Sequence, residues 1–99
     1  MVLTIMMTIG MNYEVLEGKQ QAFEQTFQAV LKLMQDMPGH THSALYRDVF
    51  EPRRYLIVSR WHDRAAFDQF IASERFRSVA DWGRQQILAG RPTHEYYET

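Results

Sequence analysis

The chain has 99 residues, four of which are histidines. Histidine can bind a metal ion, and whether these four could do so depends on their spacing. His40 and His42 form an H-x-H pair, and alternation along a strand would put both side chains on one face. His94 could approach them only from a last strand, across a dimer. Because a metal site needs three or four converging donors, we expect no metal site and predict histidines at solvated edges.

Composition excludes several other classes of chemistry. The chain has no cysteine, which removes disulfides, thiolate catalysis and iron–sulfur ligation and fits a cytoplasmic protein. Lysine and arginine number 11 against 12 acidic residues, so no basic excess supports nucleic-acid binding. No Ser–His–Asp order, glycine-rich phosphate loop or paired-carboxylate motif stands out.

Bulky apolar side chains are abundant for a domain of this size, with six methionines, six phenylalanines, five tyrosines and two tryptophans. This bulk indicates that some apolar surface serves a ligand or a partner. Met7 and Met11, with Met34, could form an adaptable wall against an irregular aromatic ligand. Core filling is the alternative for these methionines, and it is the commoner role.

The first apolar run, from about Leu3 to Tyr13, predicts a strand that is apolar on both faces. It has no basic segment before it and is too short to span a bilayer, so we expect neither a signal peptide nor a membrane anchor. Two faces alternate along it: Ile5, Met7, Ile9 and Met11 lie on one, and Thr4, Met6 and Thr8 on the other.

Helical periodicity follows from about Lys19 to Asp36, and Pro38-Gly39 ends it. The apolar positions at helical spacing are Phe23, Phe27, Val30, Leu31 and Met34.

The segments after the helix predict a hairpin, a second helix and a last strand. HTHSALYRDVFEP and YLIVSRW are strands joined by the short turn EPRR. Asp63 is a helix N-cap, and Ser73 either caps a further turn or restarts the helix. Trp82 flanks the narrow apolar stripe of this helix, and THEYYE is the last strand. The stripe consists of Phe76, Val79, Ala80, Gly83 and Ile87.

The resulting order, β-α-β-β-α-β, is the split βαβ arrangement of ferredoxin-like α+β folds. Residues 1–99 form one domain, with a four-stranded antiparallel sheet and both helices on one face. Because the first and third strands are apolar on both sides, we expect a second copy to cover the bare face. The alternative is a monomer whose outer face is wetted by Thr4, Thr8, Ser59 and Arg60.

A family resemblance rests on YLIVSRWHD at 55–63, followed by AAFDQF at 65–70. Met37-Pro38-Gly39 and the segment EVLEGK at 14–19 fit the same pattern. Together these segments resemble the antibiotic-biosynthesis-monooxygenase-like domain. The resemblance implies a dimeric α+β barrel with a pocket between helices and sheet in each subunit. Some members oxidise phenols or quinols with molecular oxygen and no cofactor, and related ones bind and degrade heme.

The resemblance also suggests site residues. Trp61 stands where the family tryptophan sits and could stack on a planar substrate or donate its N–H, unless it only braces the core. Asn12, near the expected pocket mouth, could orient a substrate oxygen, unless it is a turn residue. The remaining predicted pocket residues are Met7, Met11, Phe23, Phe27, Phe67 and Phe70.

Two departures from the family pattern affect the predicted chemistry. Active members combine the tryptophan with an asparagine and a tyrosine, where this chain has Ile57 and Phe67. Heme-degrading relatives use a histidine on the second helix, where this chain has Val79. The leading hypothesis is a cofactor-independent monooxygenase of an aromatic phenol or quinol. A non-catalytic binding or scaffold module is the alternative, and heme handling fits less well.

Overall fold

A computed structural model describes residues 6–98 of the chain. The described elements follow the predicted order, except that the second helical region is divided into two helices. In chain order they are β1 (Met7–Glu14), α1 (Gln20–Gln35), β2 (His40–Arg47), β3 (Arg54–Trp61), α2 (Arg64–Ala72), α3 (Glu74–Gln86) and β4 (Thr93–Glu98).

The four strands form one antiparallel sheet in the order β2-β3-β1-β4, which confirms the ferredoxin-like arrangement. In β1, Met7 pairs with Trp61 and Met11 pairs with Ile57. The predicted first strand began at Leu3, and residues 3–5 lie outside the described residues. Within the described part, β1 begins at Met7.

One face of the sheet packs against the helices. Met7, Ile9 and Met11 of β1 are buried there, and alternating β3 residues from Tyr55 to Trp61 are buried beside them. Tyr55 also donates a hydrogen bond from its hydroxyl to Oε2 of Glu24 over 2.6 Å, which ties β3 to α1. The opposite face carries Thr8, Gly10, Ala44, Tyr46, Leu56, Val58 and Arg60, and no described element covers it.

Helix α1 forms where the sequence predicts it, with Phe23 and Met34 buried toward the sheet. After it, Gly39 adopts a positive φ of 89° as the chain turns into β2. A β-carbon at Gly39 would lie 2.6 Å from that of Ala66, so glycine allows both the turn and the close approach of α2.

Two side chains cap the N-termini of α2 and α3. The carboxylate of Asp63 accepts a hydrogen bond from the backbone N–H of Ala66 over 2.8 Å, as predicted for an N-cap. Ser73 resolves the two possibilities left by the sequence, because its backbone is extended and its hydroxyl accepts from the N–H of Phe76. The helix therefore restarts at Ser73. Trp82 of α3 flanks the apolar stripe and is half-exposed.

The turn between β2 and β3 begins earlier than the sequence predicts. We predicted a strand through Asp48 and Val49, but β2 ends at Arg47. The Asp48 carboxylate accepts hydrogen bonds from the N–H groups of Phe50 and Glu51, which folds the chain into a turn there. Within residues 6–98, no helix is both long enough and apolar enough to cross a bilayer.

Candidate functional site

A cavity of about 330 Å³ lies between α1, α3 and the helix-facing side of the sheet. Helical periodicity positions its walls, because the apolar stripes of α1 and α3 both face inward. The lining residues are Tyr13, Phe23, Thr26, Phe27, Val30, Ile57, Phe76, Val79, Ala80, Gly83, Arg84, Ile87, Leu88, Arg91, Pro92 and His94.

Burial distinguishes the floor of this cavity from its mouth. Phe23, Ile57 and Ile87 are buried and form the floor. Arg84, Arg91 and His94 are exposed and mark the mouth. The site therefore combines an aromatic and aliphatic interior with a few polar groups at its opening, which is the usual construction of a small-molecule pocket.

His94 comes from the edge strand β4, where it pairs with Met11 of β1 and so lies on the helix-facing side. Its ring lies edge-on to Phe67, with 6.1 Å between centroids. Partial removal from water lowers the pKa of His94 below its ordinary value of 6.5. The imidazole is therefore mainly neutral at pH 7, and a neutral imidazole can accept a proton.

Tyr13 is the second polar group of the cavity with a changed acidity. Burial raises the pKa of its phenol to about 12, so the hydroxyl stays protonated at neutral pH. That hydroxyl donates a long contact of 3.8 Å to the sulfur of Met11. Because sulfur is a weak acceptor, the hydroxyl can donate instead to an oxygen of a bound molecule.

Trp61 lies outside the cavity lining and within an aromatic cluster at the end of β3. Its side chain is fully buried, and its indole N–H donates to the hydroxyl oxygen of Ser59 over 2.7 Å. The rings of Phe67 and Phe70 pack on it with centroid distances of 5.8 and 5.4 Å. The structure brings these three predicted site residues together in a cluster beside the cavity, where Phe67 contacts His94 and Phe70 contacts Phe76.

Asn12 lies on the opposite side of the sheet from the cavity, because alternation along β1 turns it away from Met11 and Tyr13. There it lines an open pocket of about 520 Å³ beside Tyr46, Leu56 and Thr93. Asn12 and Trp61 therefore do not converge in one protomer. The catalytic roles predicted for them stay predictions.

The remaining predicted pocket residues divide into two groups. Phe23 and Phe27 project from α1 into the cavity. Met7 and Met11 are buried in the core beneath the sheet-facing helices and do not line it.

The H-x-H pair is separated by a β-bulge, which breaks the alternation that would have put both rings on one face. His40 contacts the hydroxyl of Ser43 over 2.9 Å and lies edge-on to Trp61, whereas His42 is exposed. His94 lies at the other edge of the sheet. Among the residues that the structure describes, no group of three possible metal ligands occurs.

The architecture described above is that of a known family. The sequence model of antibiotic biosynthesis monooxygenases matches residues 6–82. This chain belongs to that family. The match includes β1, α1, the β2–β3 hairpin, α2 and most of α3. It ends before the loop that carries Arg91 and before β4, which carries His94.

The chain also matches longer proteins by sequence. A protein of Natronomonas pharaonis whose name proposes heme binding is 35% identical over 89 residues, or 90% of this chain. A Halobacterium salinarum protein with the same kind of name is 33% identical over the same share. This chain spans only 15% and 18% of the lengths of these two relatives.

Solved structures share the fold. SnoaB of Streptomyces nogalater, described as a cofactor-independent oxygenase, superimposes with a TM-score of 0.82 at 22% identity, covering 93% of this chain and 90% of its own. A protein of Shewanella oneidensis superimposes with a TM-score of 0.86 at 19% identity, covering 100% of this chain and 95% of its own. At these identities the likeness shows the fold alone.

Sequence reasoning missed the mouth of the cavity. His94 was expected at a solvated edge, and Arg91 was not considered. The face of β4 follows from its register with β1, and THEYYE has no apolar alternation to reveal it. Helical spacing along α3 did indicate that Phe76, Val79 and Gly83 share one face, and the predicted stripe contained all three.

Proposed function

We propose that the protein binds a small aromatic phenol in the cavity between α1, α3 and the sheet, and oxygenates it without a cofactor. The observation that carries the proposal is the cavity of about 330 Å³ with His94 at its mouth. This volume lies at the lower end of the range for ligand pockets, roughly 300–1,000 Å³. A molecule of one to three fused rings suits it.

The aromatic walls favour a planar ligand. Phe23 and Phe27 on one side and Phe76 on another supply ring faces and edges, and Val79 and Leu88 supply aliphatic contacts. Aromatic pairs gain about 0.5–1.5 kcal/mol beyond the burial of their area. The interior is therefore selective for rings over equally large polar molecules.

His94 provides the proton acceptor that the proposed reaction needs. A phenol has a pKa of about 10 and is neutral when it arrives. The neutral imidazole accepts the hydroxyl proton, which leaves an electron-rich phenolate. Tyr13 stays protonated and can donate a hydrogen bond to the phenolate oxygen.

The phenolate supplies the electrons that reduce oxygen. For 1-naphthol, one molecule reacts with one O2 to give one 1,4-naphthoquinone and one water. One oxygen atom forms the new carbonyl. The other leaves as water with the hydroxyl proton and the displaced ring hydrogen. The apolar walls keep bulk water away from the reactive intermediate.

An oxygen electrode and mass spectrometry test this proposal with 1-naphthol as substrate. We expect consumption of one O2 per quinone and one labelled oxygen atom in the quinone under ¹⁸O2. His94→Gln should lower the rate at least tenfold, because it removes the proton acceptor while keeping a similar shape. His42→Gln is the matched control, since His42 is exposed on β2 and away from the cavity.

A non-catalytic binding module gives a different result in the same experiment. The ligand would then bind and be recovered unchanged by mass spectrometry, with no oxygen consumption above buffer. That outcome would exclude the oxygenase reaction and retain the cavity as a binding site. No binding of any phenol would exclude both.

Heme is the ligand that the relatives' names propose, and the cavity does not fit it. The helix side presents Val79, Ala80 and Gly83, none of which can ligate iron. His94 is the single imidazole among the described lining residues, and it lies at the mouth. A porphyrin joins four pyrrole rings and exceeds a cavity at the lower end of the ligand range. Titration with hemin should therefore give no saturable Soret shift.

We also propose that a second copy of the chain covers the bare face of the sheet. Ala44 and Val58 pair at its centre, with Leu56 and Tyr46 beside them. Burial of apolar surface contributes about 25 cal/mol per Å², so exposure of this face to water is costly. The elements that the structure describes leave it uncovered within one protomer, and sheet-to-sheet packing of two copies would bury it.

A further inference from the structure

We propose that Arg91 makes the cavity a site for aromatic acids, so that the ligand carries a permanent anionic group beside its rings. The inference rests on the proposed function, since it uses the same cavity. It extends that function to a class of charged ligands, because a phenol without an acid group is uncharged when it binds.

The charged side chains at the cavity mouth are all basic. None of the described lining residues is acidic, whereas Arg84 and Arg91 both contribute guanidinium groups. The guanidinium of Arg84 is engaged, since its Nη2 lies 2.7 Å from Oδ1 of Asp81. Among the side chains that the structure describes, no carboxylate lies within 4.0 Å of the guanidinium of Arg91.

Acidic groups near Arg91 have other partners. Arg91 and Tyr13 also line the open pocket on the other side of β1, where Glu14 and Asp48 are present. Glu14 lies 3.8 Å from Arg53, and Asp48 accepts two backbone N–H groups in the β2–β3 turn. Arg91 is therefore a cation at the junction of two pockets, and its five N–H donors are free to bind an anion.

The backbone holds Arg91 in this position. Its loop begins where Val15 and Leu88 form a bridge and the N–H of Ala89 donates to the carbonyl of Glu14 over 2.8 Å. It ends where Thr93 pairs with Asn12. Pro92 fixes its own φ near −65° and restricts Arg91 to extended conformations. Both ends of the loop are thus tied to β1.

A guanidinium whose backbone is held beside an apolar cavity selects a particular ligand. Arginine can bind a carboxylate or sulfonate through two parallel hydrogen bonds. The low dielectric of the neighbouring walls strengthens that attraction relative to water. An aromatic ring system then fills the cavity while its acid group remains at the mouth on Arg91.

Two fluorescent probes with a common ring system test the assignment. 8-Anilinonaphthalene-1-sulfonate carries a sulfonate, and N-phenyl-1-naphthylamine lacks it. Arg91→Gln should weaken binding of the sulfonate at least tenfold and change binding of the neutral amine less than twofold. Arg91→Lys should restore part of the lost affinity. Arg77→Gln is the matched control, because Arg77 is exposed on α3 and does not line the cavity.

Cavity-filling variants separate this inference from the proposed function. Val79→Phe, or Ala80→Leu if the first does not fold, should weaken both probes at least tenfold. If they do so while Arg91→Gln leaves sulfonate binding unchanged, the inference is overturned and the proposed cavity remains. If filling changes neither probe, both proposals fail. A change in sedimentation on Arg91→Gln without a change in sulfonate binding would assign the guanidinium to a subunit interface and overturn the inference.

Discussion

The indole N–H of Trp61 donates a hydrogen bond to the hydroxyl oxygen of Ser59 over 2.7 Å, and both side chains are 0% exposed. Ser59 in turn contacts the hydroxyl of Ser43 over 2.7 Å. A buried polar group without a partner costs about 1–3 kcal/mol. Trp61 therefore stabilises the end of β3 through both its hydrogen bond and its ring contacts.

Trp61→Phe should lower the free energy of unfolding by about 2–4 kcal/mol, because it leaves a cavity and removes one donor from the serine pair. Urea unfolding measures the loss. Trp82→Phe should change stability by less than about 0.5 kcal/mol, since Trp82 is half-exposed on α3. Unchanged stability of Trp61→Phe with loss of ligand binding would instead place the indole against the ligand.

Gly39→Ala should destabilise the protein more than the same change at Gly18. Both glycines have a positive φ, so both variants incur about 1–2 kcal/mol of backbone strain. Only at Gly39 does the added β-carbon meet another, 2.6 Å away on Ala66, which adds about 1–3 kcal/mol of overpacking. Thermal or urea unfolding compares the two, and equal losses would show that α2 can move aside.

Local patterns predicted the elements of this fold because their causes are local. The stripe from Phe23 to Met34, the cap at Asp63 and the alternation in β1 depend on neighbouring residues alone. The predicted end of β2 was less accurate, because the side chain of Asp48 accepts a backbone hydrogen bond and turns the chain away from the strand. The cavity was harder to predict than the strand ends. Phe23 and Phe27 were expected in it, but the mouth at His94 depends on long-range register.

The predicted catalytic pair illustrates the same limit. Trp61 and Asn12 are both near strand ends, and the sequence alone allowed them to meet in one pocket. Alternation in β1 puts Asn12 on the bare side of the sheet, while Trp61 lies on the helix side. Sheet register and helix docking determine which residues converge on a site. Neither can be predicted from a short segment of sequence.

Acidification should destabilise the protein through His94 and His40. Loss of hydration lowers the pKa of both imidazoles below 6.5, and the charge of His42 adds to the effect at His40. Below about pH 6.5 the unfolded chain therefore binds more protons than the folded one, so the free energy of unfolding falls as pH decreases.

Urea unfolding between about pH 8 and about pH 5 measures this dependence. Stability should be constant above about pH 7.5 and decline below it. His94→Gln should reduce the decline. An unaltered decline in His94→Gln would show that His94 stays hydrated in the folded state.

A charge on the bare sheet face should dissociate the proposed dimer. Val58→Glu lies at the centre of that face, and Val49→Glu is the matched control at the exposed β2–β3 turn. Sedimentation should give about twice the chain mass of 11.8 kDa for the parent and the control, and one chain mass for Val58→Glu. A parent protein that sediments as a folded single chain would refute the dimer.

The central claim is that an aromatic ligand occupies the cavity between α1, α3 and the sheet. Methyl NMR during titration with 1-naphthol tests it most directly. We predict saturable shifts at Ile57, Val79, Ile87 and Leu88, which line the cavity, with little change at Leu56 and Val58 on the opposite face. Shifts confined to Leu56 and Val58, with the cavity methyls unperturbed, would contradict the account.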